Sequence, residues 1–208
     1  MKYWGHAVLI AGVLALWCGA ASAEAPRKGD GPRRGDRAGD RLERGELRKE
    51  FHEALEKFVA EQHERRKDHY EKQMEENRDF WKTVKADTPA GIVAALKAHR
   101  ETQFSENKQF AAAQEKRRED FVTSFATEHN LPQDVVDKVL ARIEERYQDA
   151  VAFFSKQHDE NMAFLDKLAA QSDLTRESLK AALKEHYEKQ RAENKAFLER
   201  FKDRLKAK

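Results

Sequence analysis

The sequence predicts an all-α protein made of two tandem copies of a long antiparallel helical hairpin, forming an up-down four-helix bundle or an open cradle. Three observations predict it. From Glu46 onward there is one glycine, Gly91, and there are two prolines, Pro89 and Pro132, in a background rich in helix formers. These few breakers sit where turns are needed. Finally, the segment 94–110 (AALKAHRETQFSENKQF) recurs at 181–197 (AALKEHYEKQRAENKAF), and 70–80 (YEKQMEENRDF) recurs more loosely at 154–164 (FSKQHDENMAF). Self-similarity at a fixed offset is the mark of a duplicated supersecondary unit.

The chain opens with Lys2, an apolar run from Ala7 to Trp17 and the small residues Ala21-Ser22-Ala23, the order of a secretory signal peptide over 1–23. The expected location is the periplasm, after secretion across the inner membrane. The apolar run falls short of the roughly 20 residues that span a bilayer, so stable membrane insertion is not expected. Cys18 follows the bulky Trp17, where lipoprotein processing requires a small residue, so the mature chain is read as free of thiol. Residues 24–45 mix Gly, Pro, Arg and Asp without apolar periodicity and read as a disordered leader.

The body then divides into hairpin copy 1 at 46–129 and copy 2 at 130–208, with helices expected near 46–86, 89–129, 133–171 and 175–206. Asp87-Thr88-Pro89 supplies a cap followed by proline at the first helical position, and Asn130-Leu131-Pro132 is read the same way. Ser172 to Thr175 offers further capping oxygens. Leu, Ile, Val and Phe make up roughly a fifth of the chain after the signal, so only a thin core can form.

Within each copy the pattern Q-x-x-E-N-x-x-F occurs twice: Gln73, Glu76, Asn77, Phe80; Gln103, Glu106, Asn107, Phe110; Gln157, Glu160, Asn161, Phe164; and Gln190, Glu193, Asn194, Phe197. His69, His99 and His186 stand four residues before the glutamine, with Phe153 in that place in the third instance. Steps of 4, 3, 1 and 3 keep His, Gln, Asn and Phe on one helix face with Glu at its edge. Counting outward from the turns sets Asn77 opposite His99, Asn161 opposite His186, Phe80 opposite Leu96 and Phe164 opposite Leu183. If the connection at 130–132 also folds back tightly, all four motifs share one cross-section. The expected role of Gln73, Asn77, His99, Gln103, Asn107, Gln157, Asn161, His186, Gln190 and Asn194 is a polar core layer that fixes register.

His69, His99 and His186 are also the metal candidates. Carboxylate-bridged bundles use Glu-x-x-His on a single turn, whereas here His and Glu stand seven apart, about 10 Å along the axis, so no metal and no other cofactor is expected. His52, His63, His129 and His158 form no i, i+4 pair and are expected to be exposed. Glycine-rich phosphate loops, nucleophile elbows and His-Glu-x-x-His helices are absent, so no catalytic residue is assigned and no enzyme is expected. Charged residues make up 38% of the chain at a net charge of +2, so the signs are mixed and no nucleic-acid surface is implied.

Leu174-Thr175-Arg176-Glu177-Ser178, the leader composition and the helical design resemble the Spy/CpxP group of envelope-stress proteins, with Ser178 where that group's Leu-Thr-x-x-Gln signature has Gln. The resemblance implies a thin helical cradle that holds unfolded polypeptides. The alternative is a structural coiled-coil or interaction module of the envelope, using long helices for reach and for self-assembly. On either reading the partners are polypeptides or a second copy of the chain. Phe51, Phe58, Trp81, Phe104, Phe121, Phe125 and Phe154 are expected in the core or a dimer seam.

Overall fold

The computed structural model describes residues 36–84 and 88–206; the signal peptide, the leader as far as residue 35 and the cap candidate Asp87 lie outside the described residues. Four helices follow one another: α1 (Asp36–Thr83), α2 (Pro89–Glu128), α3 (Gln133–Ala169) and α4 (Arg176–Lys206). No strand occurs among the described residues. The first helix begins at Asp36, so the last part of the expected leader, 36–45, is helical backbone. Once a helix is nucleated each added residue gains a hydrogen bond at little cost, and Arg37, Ala38, Leu42 and Glu43 favour that growth enough to carry it past Gly39 and Gly45.

The turns follow local chemistry. Thr88 has extended backbone and its Oγ1 accepts a hydrogen bond from the Gly91 N–H at 3.1 Å, while Pro89 fills the first turn where its missing N–H costs nothing. Thr175 and Ser178 form a reciprocal capping box. The Ser178 N–H donates to Thr175 Oγ1 at 3.1 Å and the Thr175 N–H donates to Ser178 Oγ at 2.9 Å.

The α2–α3 connection differs from the expected cap. Asn130 does not cap α3; it ends α2 in the left-handed region at φ 51°. Leu131 N–H bonds to the Ala126 carbonyl at 2.9 Å and Asn130 N–H to the Thr127 carbonyl at 3.4 Å, a Schellman closure. Pro132 then takes the N-cap place of α3 with no side-chain bond. Asparagine tolerates positive φ better than other side chains of its size, which is why it serves the preceding helix.

The largest apolar core sits at the end that holds both hairpin turns. Val93 and Leu96 of α2, Leu165 and Leu168 of α3, and Leu179 and Leu183 of α4 are buried together, and Phe80 and Trp81 of α1 pack against them. Below it, α1 and α2 are joined by Phe58 stacked on Phe121 at 4.6 Å and by Phe51 edge-on to Phe125 at 5.1 Å. In the second hairpin Phe153 and Phe154 pack around buried Phe197 and Phe201. Burial of these rings adds apolar contact to a chain with little apolar surface.

Candidate functional site

The four motifs meet at one level. Phe104 and His158, each the residue after a motif glutamine, stack face to face across α2 and α3 with ring centroids 3.8 Å apart. Within the first hairpin, His69 Nε2 lies 2.7 Å from Asn107 Oδ1 and His99 Nε2 lies 3.1 Å from Asn77 Oδ1. Within the second, His186 Nε2 lies 2.8 Å from Asn161 Oδ1. The two pairs reached by counting outward from the turns are therefore in contact, and His69 with Asn107 repeats the arrangement.

A second set of contacts accompanies the first. His69 stacks on Phe110 at 4.0 Å, His99 on Phe80 at 4.6 Å and His186 on Phe164 at 3.9 Å, each within a few degrees of parallel. Phe153, standing where the fourth histidine would be, stacks on Phe197 at 4.1 Å. Each motif thus sends its first residue onto the last residue of the motif on the antiparallel partner. The stack needs a flat ring, not an imidazole.

Amide orientation settles the proton positions. Asn77 Nδ2 donates to the Gln73 carbonyl at 2.7 Å, which leaves Oδ1 facing His99 as an acceptor. A neutral His99 ring therefore presents N–H at Nε2. Burial pushes the His99 and His186 rings below the ordinary imidazole value, aided by Arg100 at the first and Lys189 at the second. In the fourth instance Asn194 Nδ2 donates to the Gln190 carbonyl at 2.8 Å, but with Phe153 standing in the histidine position its buried Oδ1 has no partner among the described residues.

The glutamines do not pair with one another as a layer joined by side chains would. Gln103 Oε1 accepts from Arg100 Nη1 at 3.1 Å, and Gln190 Nε2 donates to the Gln157 main-chain carbonyl at 3.3 Å. The amide nitrogens of Gln73, Gln103 and Gln157 are buried with no partner among the described residues. Glu76, Glu106, Glu160 and Glu193 lie at the half-buried edge. Lys72 bridges Glu76 and Glu106, while Lys156 and Lys189 each reach the glutamate one turn on.

Two histidines expected on the surface are not there. His158 is held between Phe104 and Glu101 Oε2 at 3.1 Å, and His129 lies on Phe125 with Glu50 Oε2 at 3.5 Å from Nδ1. An aromatic or acidic neighbour on another helix is invisible to i, i+4 counting, which is why they were missed. His52 and His63 are exposed.

Of the metal-candidate histidines His69 and His99 lie in the seam of the first hairpin and His186 in that of the second, each engaged with its own asparagine and phenyl ring. Among the described residues the grouping with ligand geometry is instead Glu115, Glu119 and Glu144, whose oxygens lie within 4.8 Å of one another. Arg118 Nη1 donates to Glu115 Oε2 at 2.8 Å. Burial pushes the Glu115 carboxyl up to about 7 despite that guanidinium. Compared with family models, curated proteins and solved structures, the chain matches none.

Proposed function

We propose that this is an exported, non-enzymatic helical protein that holds partly folded polypeptides in the periplasm. The observation that carries the reading is an apolar cleft between α2 and α3, lined by Phe104, Ala111, Tyr147, Ala150, Val151 and Phe154. At its rim the exposed Lys108 ammonium stands 5.6 Å over the Phe104 ring. Aromatic and small side chains under a charged rim suit weak contact with the apolar side chains of many sequences. The Lys2-to-Ala23 signal pattern supports export, and no described helix is long and apolar enough to cross a membrane.

One observation favours the structural-module reading. Glu50 pairs with His129 at the far end of α2, so the backbone of α1 runs on beyond the end of α2 over residues 36–46. That length offers a surface for helix pairing.

Crosslinking the mature protein in cells and identifying the captured chains separates the two. Many unrelated unfolded clients, lost when Val151→Glu places a charge in the cleft, are the expected outcome. Capture of one stoichiometric partner, or of a second copy alone, would reject the holdase in favour of the module.

A further inference from the structure

Arg66 of α1 is 6% exposed, and its buried Nη1 has no hydrogen-bond partner among the described residues. One turn earlier on the same face Gln62 is 2% exposed, and across the seam Gln114 of α2 is 1% exposed; the buried Oε1 of each has no hydrogen-bond partner among the described residues. The register of the hairpin brings them together. His69 with Asn107 and Phe51 with Phe125 pair residues whose numbers sum to 176, as do Gln62 and Gln114. The three side chains lie between two aromatic lids, the Phe58–Phe121 stack on one side and the His69–Phe110 stack on the other. Eleven residues separate Phe58 from His69 on α1, about 16 Å of helix.

The fold does not demand a polar residue at Arg66 or at Gln114. In the duplicated hairpin the position of Arg66 is held by Ala150 and that of Gln114 by Phe201, both buried at 4% and 3% exposure. The second copy thus holds apolar groups at two of the three equivalent positions, while Gln62 is matched by the half-buried Arg146. A buried guanidinium without a counter-charge is among the most costly arrangements an interior can hold.

We propose that Arg66, Gln62 and Gln114 form a binding site for a small carboxylate inside the first hairpin. The planar fork of the guanidinium matches a carboxylate in a bidentate pair. Either glutamine can turn its amide to offer N–H to the remaining lone pairs. Arg66 is the one formal charge of the three, so a monovalent anion is neutralised whereas a dianion leaves charge unpaired in a medium of low dielectric. The aromatic lids restrict the ligand to a small one.

Formate and acetate are the probes, with chloride and sulfate at matched ionic strength as controls, applied to the full mature chain. Isothermal titration should give one site per chain for formate or acetate, and the thermal midpoint should rise with either anion until saturation. Arg66→Met should weaken binding by about 10- to 100-fold, the loss of charge-assisted hydrogen bonds, and should abolish the midpoint shift. Gln114→Phe, which copies the second hairpin, should weaken binding while leaving the helix content intact. Absence of formate and acetate binding to the wild-type chain would overturn the proposal, as would an undiminished response in Arg66→Met. An equal response to sulfate would overturn the choice of a monovalent carboxylate. Failure of the crosslinking experiment above leaves this result untouched, because the seam and the cleft are different surfaces.

Discussion

The two hairpins carry the same motif and use it differently. In the first, both ends of the motif layer close with an imidazole on an asparagine, through His69 and His99. In the second, His186 closes one end and Phe153 replaces the imidazole at the other, leaving Asn194 Oδ1 without a donor. Ring stacking survives the exchange, since Phe153 lies on Phe197 much as His69 lies on Phe110. Flat-on-flat packing is therefore the geometric constraint, and the imidazole-to-amide bond is added chemistry. Away from the layer the contrast grows: the first hairpin buries Arg66 and Gln114, where the second buries Ala150 and Phe201.

The largest test of this comparison uses positions the copies share. Leu96 and Leu183 are equivalent and are 0% and 2% exposed in one core. Alanine at either should cost about 2 to 5 kcal/mol, by a similar amount, measured by urea denaturation. A loss confined to one copy would show that the hairpins unfold independently.

A smaller effect isolates the added chemistry. Asn77→Ala should destabilise by about 1 to 3 kcal/mol by stranding His99, and the Asn77/His99 double-mutant cycle should show coupling. The Asn194/Phe153 cycle should show almost none. Introducing Phe153→His should create coupling to Asn194 of about 1 kcal/mol. Coupling of equal size at Phe153 and at His99 in the wild-type chain would mean that the stack, and not the hydrogen bond, carries the energy.

The smallest effect is in pH. His99 and His186 have folded values below the ordinary 6.5, first because of burial. The unfolded chain therefore binds more protons as pH drops, so their contribution is complete above about 6.5 and is lost as pH falls through the lowered folded values. Glu115 acts in the opposite sense. Its carboxyl is raised from 4.5 to about 7, so its contribution is complete below about 4.5 and is lost as pH rises through about 7. Replacing both histidines with phenylalanine, as at Phe153, should flatten the acid side of a stability-against-pH curve, and Glu115→Gln should flatten the neutral side. Unchanged slopes would place the titrating groups elsewhere.

Much of the fold was legible because few residues break helices and those few mark the turns. The Asn77–His99 and Asn161–His186 contacts follow from counting alone, since an antiparallel hairpin with known turns has a single register. The reciprocal stacks go beyond that reading, which set Phe80 opposite Leu96 and Phe164 opposite Leu183; the signal that could have found them is that a motif read backwards on the facing helix brings its first position near the other's last. Less could be read for Gln62, Arg66, Gln114, Glu115 and Arg118, which look like the solvated face of any charged helix. Their burial depends on which neighbouring helix covers them, and spacing within one helix carries no such information. The start of α1 was missed for a related reason: glycine content reads as disorder locally, whereas an existing helix can grow through it.

The reciprocity of the stacks has one more consequence. Each motif places its first ring on its partner's last, and the partner returns the contact, so the recognition is palindromic: a helix bearing one motif holds both halves of its own complement. Such a helix needs no second kind of sequence to pair with, only another copy running the opposite way. A slip of a single turn removes both stacks and both amide bonds of the first hairpin at once, so the pairing is selected as a whole. Two rounds of joining identical palindromic helices end to end give four helices in alternating directions, which is the order of this chain.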